Sequence, residues 1–201
     1  MSTRIDSLYE LLENRDFLNP ETANIFSPFF FFTYDAANEY QVRKEIELLK
    51  EKLKRPLAMA DTLVINIYEL VLEFLKARSV SSMTTFDIMM ELDKKDSHAV
   101  MLRLERILAG DDFTKYLIDK IQSHISDNTG LKKVYVFIYG IGSIYPYLRA
   151  NKLVSRIEQY VKDYKVIVFY PGTLANSNFT LFGQLNSKSI YRANHLNTLL
   201  P

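Results

Sequence analysis

The stretch that decides the fold is "VYVFIYGIGSIYPYLRANKLV", residues 134–154. Its first six residues are hydrophobic throughout, which is typical of a strand that is buried on both faces. Two glycines follow, Gly140 and Gly142, and a helical pattern then begins with Pro146 in its first turn. The stretch therefore predicts a strand, a tight turn and a helix over residues 146–161, which together are the repeating unit of α/β folds.

The glycine pair matches the phosphate-binding loops of nucleotide-binding proteins only in part. A dinucleotide fingerprint needs a third glycine where this chain has Tyr145, and the Gly-Lys-Ser/Thr of a Walker loop is missing. Three interpretations stay open: a tight strand-to-helix turn, which we favour, a degenerate anion site at the helix N-terminus, or a loop that faces a partner. Arg149, one turn into the predicted helix, would pair with a carboxylate or cap carbonyl groups, or else bind an anion or a partner's acidic side chain.

Similar patterns extend along the chain in both directions, as buried hydrophobic runs and as apolar residues at helical spacing. Further strands are predicted at residues 29–34, 62–67, 166–170 (ended by Pro171 and Gly172), 179–182 (at the end of a loop over 174–183) and 190–196 (at a sheet edge). Further helices are predicted at residues 5–12, 42–53, 68–78, 84–92, 98–108 and 112–125.

Strands that alternate with helices predict an α/β fold with a mainly parallel sheet of about four to six strands and helices on both faces. The helices between residues 68 and 128 exceed what one crossover connection needs. We therefore expect a single domain over residues 1–201 with a helical insertion at about 68–128, forming a cap or side bundle.

Charge and cysteine content exclude several classes of function. Lys and Arg total 25 against 24 Asp and Glu, a net charge of +1, so direct binding to nucleic acid or to a membrane is not expected. The absence of cysteine excludes disulfides, thiolate metal sites and cysteine nucleophiles, and fits a reducing compartment. Charges interrupt every apolar stretch near the N-terminus, so no signal peptide is expected. We predict a soluble, cytoplasmic protein.

No catalytic or metal-binding constellation stands out. His98, His124 and His195 are too scattered for a metal site, and no serine lies in a Gly-x-Ser-x-Gly elbow. No cofactor is expected. By position, the best pocket candidate is the carboxyl edge of the sheet, where the strand ends at Gly140 and Pro171 should lie side by side. A simple strand-ending turn remains the favoured interpretation of "FYPGT", residues 169–173.

Four ordered blocks carry a family resemblance: "YGIGSIYPYLRANKLV" (139–154), "VIVFYPGTL" (166–174), "LFGQL" (181–185) and "IYRANHL" (190–196). Together they resemble the BrxB family, small core proteins of the BREX bacteriophage-defence systems. The upstream half of the chain resembles the family more loosely. The motif residues that we single out as a possible partner or ligand surface are Gly140, Gly142, Tyr145, Pro146, Arg149, Phe169, Pro171, Gly172 and Arg192.

The resemblance implies a cytoplasmic bacterial protein that is needed for phage restriction, together with host DNA methylation by the same system, and it implies no established enzymatic activity. It implies PglZ, the alkaline-phosphatase-like component, as the partner, with the large ATPase and the methyltransferase in the wider complex. We therefore predict a non-catalytic adaptor. The alternative is a degenerate nucleotide-binding enzyme or sensor with a phosphate-type site at residues 140–149.

Overall fold

The structure is a computed structural model that describes residues 2–19, 27–127, 130–175, 178–186 and 194–200. Its strands are β1 (Phe29–Tyr34), β2 (Leu63–Asn66), β3 (Ser79–Val80), β4 (Met83–Thr84), β5 (Tyr135–Tyr139), β6 (Lys165–Ala175), β7 (Asn178–Leu181), β8 (Leu185–Asn186) and β9 (Asn194–His195). Its α-helices are α1 (Ser2–Glu13), α2 (Arg15–Leu18), α3 (Glu39–Leu53), α4 (Ile67–Ala77), α5 (Thr85–Asp93), α6 (Ser97–Leu108), α7 (Asp111–Ser126), α8 (Ile141–Ile144) and α9 (Ala150–Ile157).

The main sheet has the strand order β2-β5-β6-β1-β9, and every neighbouring pair along this path is parallel. The far half of β6 pairs antiparallel with β7, and β7 pairs antiparallel with β8. A separate two-stranded ribbon, β3 with β4, lies between α4 and α5 in the chain. The predicted α/β class with a mainly parallel sheet is confirmed.

The aromatic strand β1 shows why the sheet is covered on both faces. All six of its residues are buried. Successive side chains of a strand point to opposite faces. Phe29 and Phe31 therefore join the core that α4, α7 and α9 cover, whereas Phe30 and Phe32 join the core under α1, α2 and α3. We call these the first and the second face of the sheet. Helices on both faces are thus confirmed.

The helical segment α4 to α7 corresponds to the insertion predicted at about 68–128. Helices α4 and α7 bury apolar side chains such as Val71 and Leu117 in the core of the first face. Helix α5 packs against α4, and α6 packs against both α5 and α7. Helices α4 to α7 thus pack against one another. The division of the chain into domains stays a prediction.

The helix predicted over residues 146–161 is wrong at its start. Helix α8 ends at Ile144, and Tyr145 takes an extended conformation (ψ 138°), as residues before proline usually do. Arg149 is also extended (ψ 142°) and occupies the N-cap position, so the next helix begins only at Ala150. Pro146 therefore lies in the connection between two helices and not in a first turn.

The predicted end of the strand at Pro171 and Gly172 is also wrong, because β6 continues to Ala175. Pro171 is the last residue of the parallel ladder with β1. Proline has no N–H to donate, but at the end of a ladder this does not interrupt the hydrogen bonds in the interior of the sheet. Beyond it, β6 pairs with β7, so much of the loop predicted over 174–183 is strand. Residues 190–193 of the last predicted strand lie outside the described residues, and β9 lies at the sheet edge beside β1.

Candidate functional site at the carboxyl edge of the sheet

The glycine that ends β5 makes a tight turn into α8. Gly140 has a φ of 80°, in the left-handed region that glycine enters without steric cost. A Cβ atom at this position would lie 2.5 Å from Oδ1 of Asn66, the last residue of the neighbouring strand β2. The backbone at Gly140 therefore faces a protein side chain. This geometry is the one that the tight-turn interpretation predicts.

The motif blocks interlock through two further glycines. A Cβ atom at Gly142 would lie 2.8 Å from the ring of Phe182 and 3.1 Å from Cγ of Pro171. A Cβ atom at Gly172 would overlap the carbonyl oxygen of Thr180 on β7. The missing side chains thus allow the turn between β7 and β8 to press against α8 and β6. Three of the four blocks form one packed unit.

This packed unit presents an apolar and cationic surface to solvent. Phe182 is 42% exposed and Leu185 is 38% exposed. Tyr145 is half-buried, and the guanidinium carbon of the exposed Arg149 lies 5.8 Å from the centre of its ring. Tyr145, Arg149 and Leu185 also line one small cavity of about 20 Å³. We call Tyr145, Arg149, Phe182 and Leu185 the carboxyl-edge surface.

The other predicted surface residues lie deeper in the molecule. Gly140, Pro171 and Gly172 are buried. Phe169 has 0% exposure and lies between two aromatic rings of the second face, 5.7 Å from the ring centre of Phe32 and 5.4 Å from that of Phe137. Because they are buried, these residues cannot contact a partner directly.

The last two predicted surface residues are Pro146 and Arg192. Pro146 is half-buried and lines an open groove beside α9, next to Tyr147 and Arg149. Arg192 lies outside the described residues. Of the predicted residues that the structure describes, Arg149 is therefore the most accessible, and Gly142, Tyr145 and Pro146 are partly accessible.

A cleft opens at the carboxyl edge between β1 and β6. The chain leaves β1 for α3 on the second face, whereas it leaves the parallel part of β6 for β7, whose Phe179 packs on the first face. Connections that diverge to opposite faces leave a crevice, which is where ligands bind in open α/β sheets. The cleft has a volume of about 480 Å³ and is lined by Asp35, Thr173, Phe182 and His195, among others.

Hydrogen bonds order one wall of this cleft. The backbone N–H of Thr33 donates to Oδ1 of Asn197 at 2.8 Å, and Nδ2 of Asn197 donates to the carbonyl of Thr33 at 2.9 Å. The Asn197 amide therefore continues the ladder of β1. Nε2 of His195 lies 3.0 Å from the Thr33 hydroxyl. The cleft thus offers a carboxylate, hydroxyl groups and an imidazole in a fixed arrangement.

A polar network fastens the glycine turn to α3. The Tyr34 hydroxyl at the end of β1 donates to Glu39, and Nε of Arg43 donates to the same carboxylate at 2.8 Å. Nη2 of Arg43 donates to the Ser143 hydroxyl in α8 at 3.3 Å. Burial, and then the bond to Glu39, raises the pKa of Tyr34 far above its usual range. Tyr34 therefore stays a neutral donor, and the network joins three elements at this edge.

The described ranges contain neither a cluster of metal-ligating side chains nor a membrane-spanning helix. In the described ranges, no group of three or more His, Cys, Asp or Glu residues could hold a metal ion. His98, His124 and His195 lie on α6, α7 and β9. Within the same ranges, no helix combines the length and the apolar character that crossing a membrane requires.

Sequence reasoning missed several residues of this edge. Phe182 was predicted only as the end of the strand at 179–182 and as part of a motif block, and Leu185 only as part of that block. Arg43 was only one residue of the helix predicted over 42–53. A turn with two apolar residues signals exposed hydrophobic surface once its position is known. Because residues 174–183 were predicted mainly as a loop, no turn between two paired strands was expected there, and the exposed position of Phe182 was not recognised.

Known proteins resemble this chain over most of its length. The model of the family "BREX protein BrxB" matches residues 63–196, which include all four motif blocks. A BREX protein BrxB from Bacillus cereus (strain H3081.97) is 24% identical over 197 residues, 96% of this chain and 95% of that protein. A BREX protein BrxB from Escherichia coli O9:H4 (strain HS) is 24% identical over 165 residues, 82% of this chain and 76% of that protein. No solved structure matches the chain significantly.

The family match agrees with the resemblance that the four blocks carry. It covers more than half of the chain, and both relatives carry the same family name. The chain therefore belongs to the BrxB family of proteins of the BREX phage-defence systems.

Proposed function

We propose that the protein is a non-catalytic, cytoplasmic adaptor that binds the PglZ component of a BREX system, the alkaline-phosphatase-like protein. Through this contact it supports phage restriction and host DNA methylation. The large ATPase and the methyltransferase belong to the wider complex in this proposal. The two relatives are named BREX proteins, which supports a role in a BREX system. Their names do not mention PglZ, so the contact with PglZ is our proposal.

The carboxyl-edge surface is the observation that carries this proposal. It combines an exposed aromatic ring (Phe182), an exposed aliphatic side chain (Leu185) and an arginine stacked on a tyrosine (Arg149 on Tyr145). Aromatic residues and arginine are enriched in protein interfaces, and tyrosine and arginine are common among the few residues that carry most of the binding energy. The interlocked motif blocks hold these side chains on a rigid base. An adaptor needs an accessible surface of this kind.

The geometry of the glycine turn supports an adaptor over a phosphate-type site at residues 140–149. A phosphate loop needs open space in front of its backbone N–H groups. At Gly142 the nearby space is filled by the Phe182 ring, and at Gly140 by the Asn66 side chain. Helix α8 has only four residues, which is too short to develop a strong dipole.

The proposal is tested by removing the apolar part of the carboxyl-edge surface. We expect Phe182→Ser/Leu185→Ser to abolish co-purification of PglZ with the tagged protein from cells that carry the whole operon. The matched control is Tyr40→Ser/Leu48→Ser on α3, which removes another exposed aromatic and aliphatic pair (81% and 62% exposed). Circular dichroism would establish that both variants stay folded. Equal retention of PglZ by both variants would contradict the proposal.

The rival function has a direct test. Thermal unfolding is measured with increasing ATP and GTP, because a ligand that binds only the folded state raises the melting temperature in a saturable manner. We expect no such shift. A saturable shift that is lost in Arg149→Ala would favour a nucleotide-binding enzyme or sensor.

A further inference from the structure

A long groove runs beside α9, away from the carboxyl-edge cleft. Its wider part, about 840 Å³, lies between α7 and α9. A second part of about 400 Å³ continues towards Pro146 and the end of α6. Lys152 and Arg156 line both parts, so the two are continuous. We call the whole the α9 groove.

The wall that α9 forms is basic. Arg149 precedes the helix, and Lys152 and Arg156 follow at intervals of three and four residues, which sets them on one side. None of the three has an ion-pair partner in the described part of the chain. Arg149 and Lys152 are exposed, and Arg156 is half-buried. Their charges are therefore available to another molecule.

The opposite wall is mainly acidic. Glu105 on α6 and Asp111 and Asp119 on α7 face the groove, and none of them is ion-paired within the described ranges. Asp112, on the same wall, pairs with Arg78 at 2.7 Å. The basic residue Lys115 also lines this wall. Opposite charges thus line one groove without meeting each other across it.

Apolar groups complete the groove. Ile118 lines its wider part, and Tyr147 and Leu148 line the part towards α6. A continuous phosphate chain would be attracted by one wall and repelled by the other, which disfavours nucleic acid. A polypeptide carries both signs of charge and apolar side chains, and so complements all three features.

We propose that the α9 groove binds a segment of a partner protein that places carboxylates against α9 and basic side chains against α6 and α7. This inference rests on the proposed adaptor function and adds a second contact beside the carboxyl-edge surface. Exposed ion pairs contribute modestly to affinity one by one, but complementary walls raise the association rate and fix the direction of the bound segment.

A photo-crosslinking amino acid at Ser155, which is exposed on α9 and lines the groove, tests the occupant. The tagged protein is irradiated in cells that carry the whole operon, and the attached peptide is identified by mass spectrometry. The same amino acid at Lys95, which is exposed in the turn between α5 and α6, is the control. We expect an adduct at Ser155, absent at Lys95, to a protein segment that contains several Asp or Glu residues. An adduct to nucleic acid, or none above the control, would overturn the proposal.

Charge reversal tests the basic wall. We expect Lys152→Glu/Arg156→Glu to weaken binding of the crosslinked, purified partner roughly 10- to 100-fold at low salt. Changing the partner's mapped carboxylates to lysine should restore binding. The control is Lys44→Glu/Lys95→Glu, which changes the net charge equally at two other exposed positions. Lys152→Ala/Arg156→Ala serves if the reversed variant does not fold. If the groove variant and the control variant bound the partner with equal affinity, the α9 groove would not be the binding site.

The outcomes separate this inference from the proposed function. Loss of PglZ in Phe182→Ser/Leu185→Ser, with unchanged binding in Lys152→Glu/Arg156→Glu, would leave the adaptor standing and remove the groove contact. A charge-rescued adduct at Ser155, together with equal retention of PglZ by Phe182→Ser/Leu185→Ser and its control, would support the groove and contradict the proposed function.

Discussion

The two edges of the parallel sheet are held together in different ways. At the amino edge, long side chains reach from paired strands to helix ends: the Tyr135 hydroxyl donates to the carbonyl of Leu12 at 2.8 Å, and Nζ of Lys165 donates to that of Asn19 at 2.7 Å. At the carboxyl edge, missing side chains at Gly142 and Gly172 let rings and backbone approach closely.

This difference separates a structural edge from an accessible one. Tyr135 and Lys165 are opposite each other in the ladder of β5 and β6, both have 0% exposure, and their polar ends satisfy carbonyl groups that the ends of α1 and α2 leave free. They leave little for a partner to contact. The carboxyl edge, in contrast, leaves Phe182 in contact with solvent. Four predictions test this contrast.

The largest effect is expected at Gly172. In Gly172→Ala the new methyl group overlaps the Thr180 carbonyl, so β6 and β7 must separate, and we expect a loss of roughly 3 kcal/mol in the free energy of unfolding. Urea denaturation measures it. Gly183→Ala is the control: nothing lies within 4 Å of the new atom, and only the φ of 70° opposes it, at a cost of about 1 kcal/mol. Equal losses would show that close approach is not what Gly172 provides.

The amino edge should respond to pH through Lys165. Burial lowers the pKa of this lysine to about 8, below that of an unfolded chain. Between pH 8 and 10 the unfolded state therefore binds more protons at this lysine than the folded state does. The contribution of Lys165 to the free energy of unfolding thus rises with pH over this range and is least favourable below pH 8. Relative to Lys165→Met, the wild type should gain about 2 kcal/mol over this range, because tyrosine titrations cancel in the comparison. If the free energies of unfolding of the two proteins changed equally with pH, burial would not lower the pKa of Lys165 as described.

A smaller loss is expected when the hydroxyl of Tyr135 is removed. Tyr135→Phe leaves the buried carbonyl of Leu12 without this donor, and we expect a loss of about 1–2 kcal/mol in the free energy of unfolding. Urea denaturation with unchanged slope is the measurement. No change would mean that α1 is held by apolar packing alone.

The smallest effect is expected for a hydroxyl at the other edge. Ser143→Ala removes the acceptor of Arg43 at an exposed site, where water replaces the lost bond, so the loss should stay below about 0.5 kcal/mol. The same urea titration compares it with Tyr135→Phe. A loss as large as that of Tyr135→Phe would show that the two edges do not differ in this respect.

The sequence predicted the elements whose pattern is local. Residues 29–34 were predicted as a buried strand, and β1 has the same bounds, because a short run rich in aromatic residues without polar alternation is typical of a strand covered on both faces. The parallel sheet followed from the alternation of such strands with amphipathic helices. The predicted strand of residues 166–170 omitted Lys165, because lysine is rarely fully buried, although here it has 0% exposure.

The site could be predicted only as a region. That Gly140, which follows β5, and Pro171, where the parallel pairing of β6 ends, belong to neighbouring strands follows from the fold class. The roles of Gly142 and Gly172 depend on Phe182 and Thr180, which are distant in sequence, and no local pattern reveals such pairs. Proline and glycine usually end a strand, so the continuation of β6 through Pro171 required knowledge of the tertiary structure. Phe169 was assigned to a surface because it belongs to the same motif block as Pro171, although it lies in the core.

The uninterrupted path of β6 has a consequence for recognition. The strand begins at the amino edge, crosses the middle of the sheet and pairs directly with the strand that leads to Phe182. The exposed ring is therefore joined through paired strands to the buried middle of the sheet. An incoming protein would therefore meet a preorganised contact and lose little conformational entropy in fixing it.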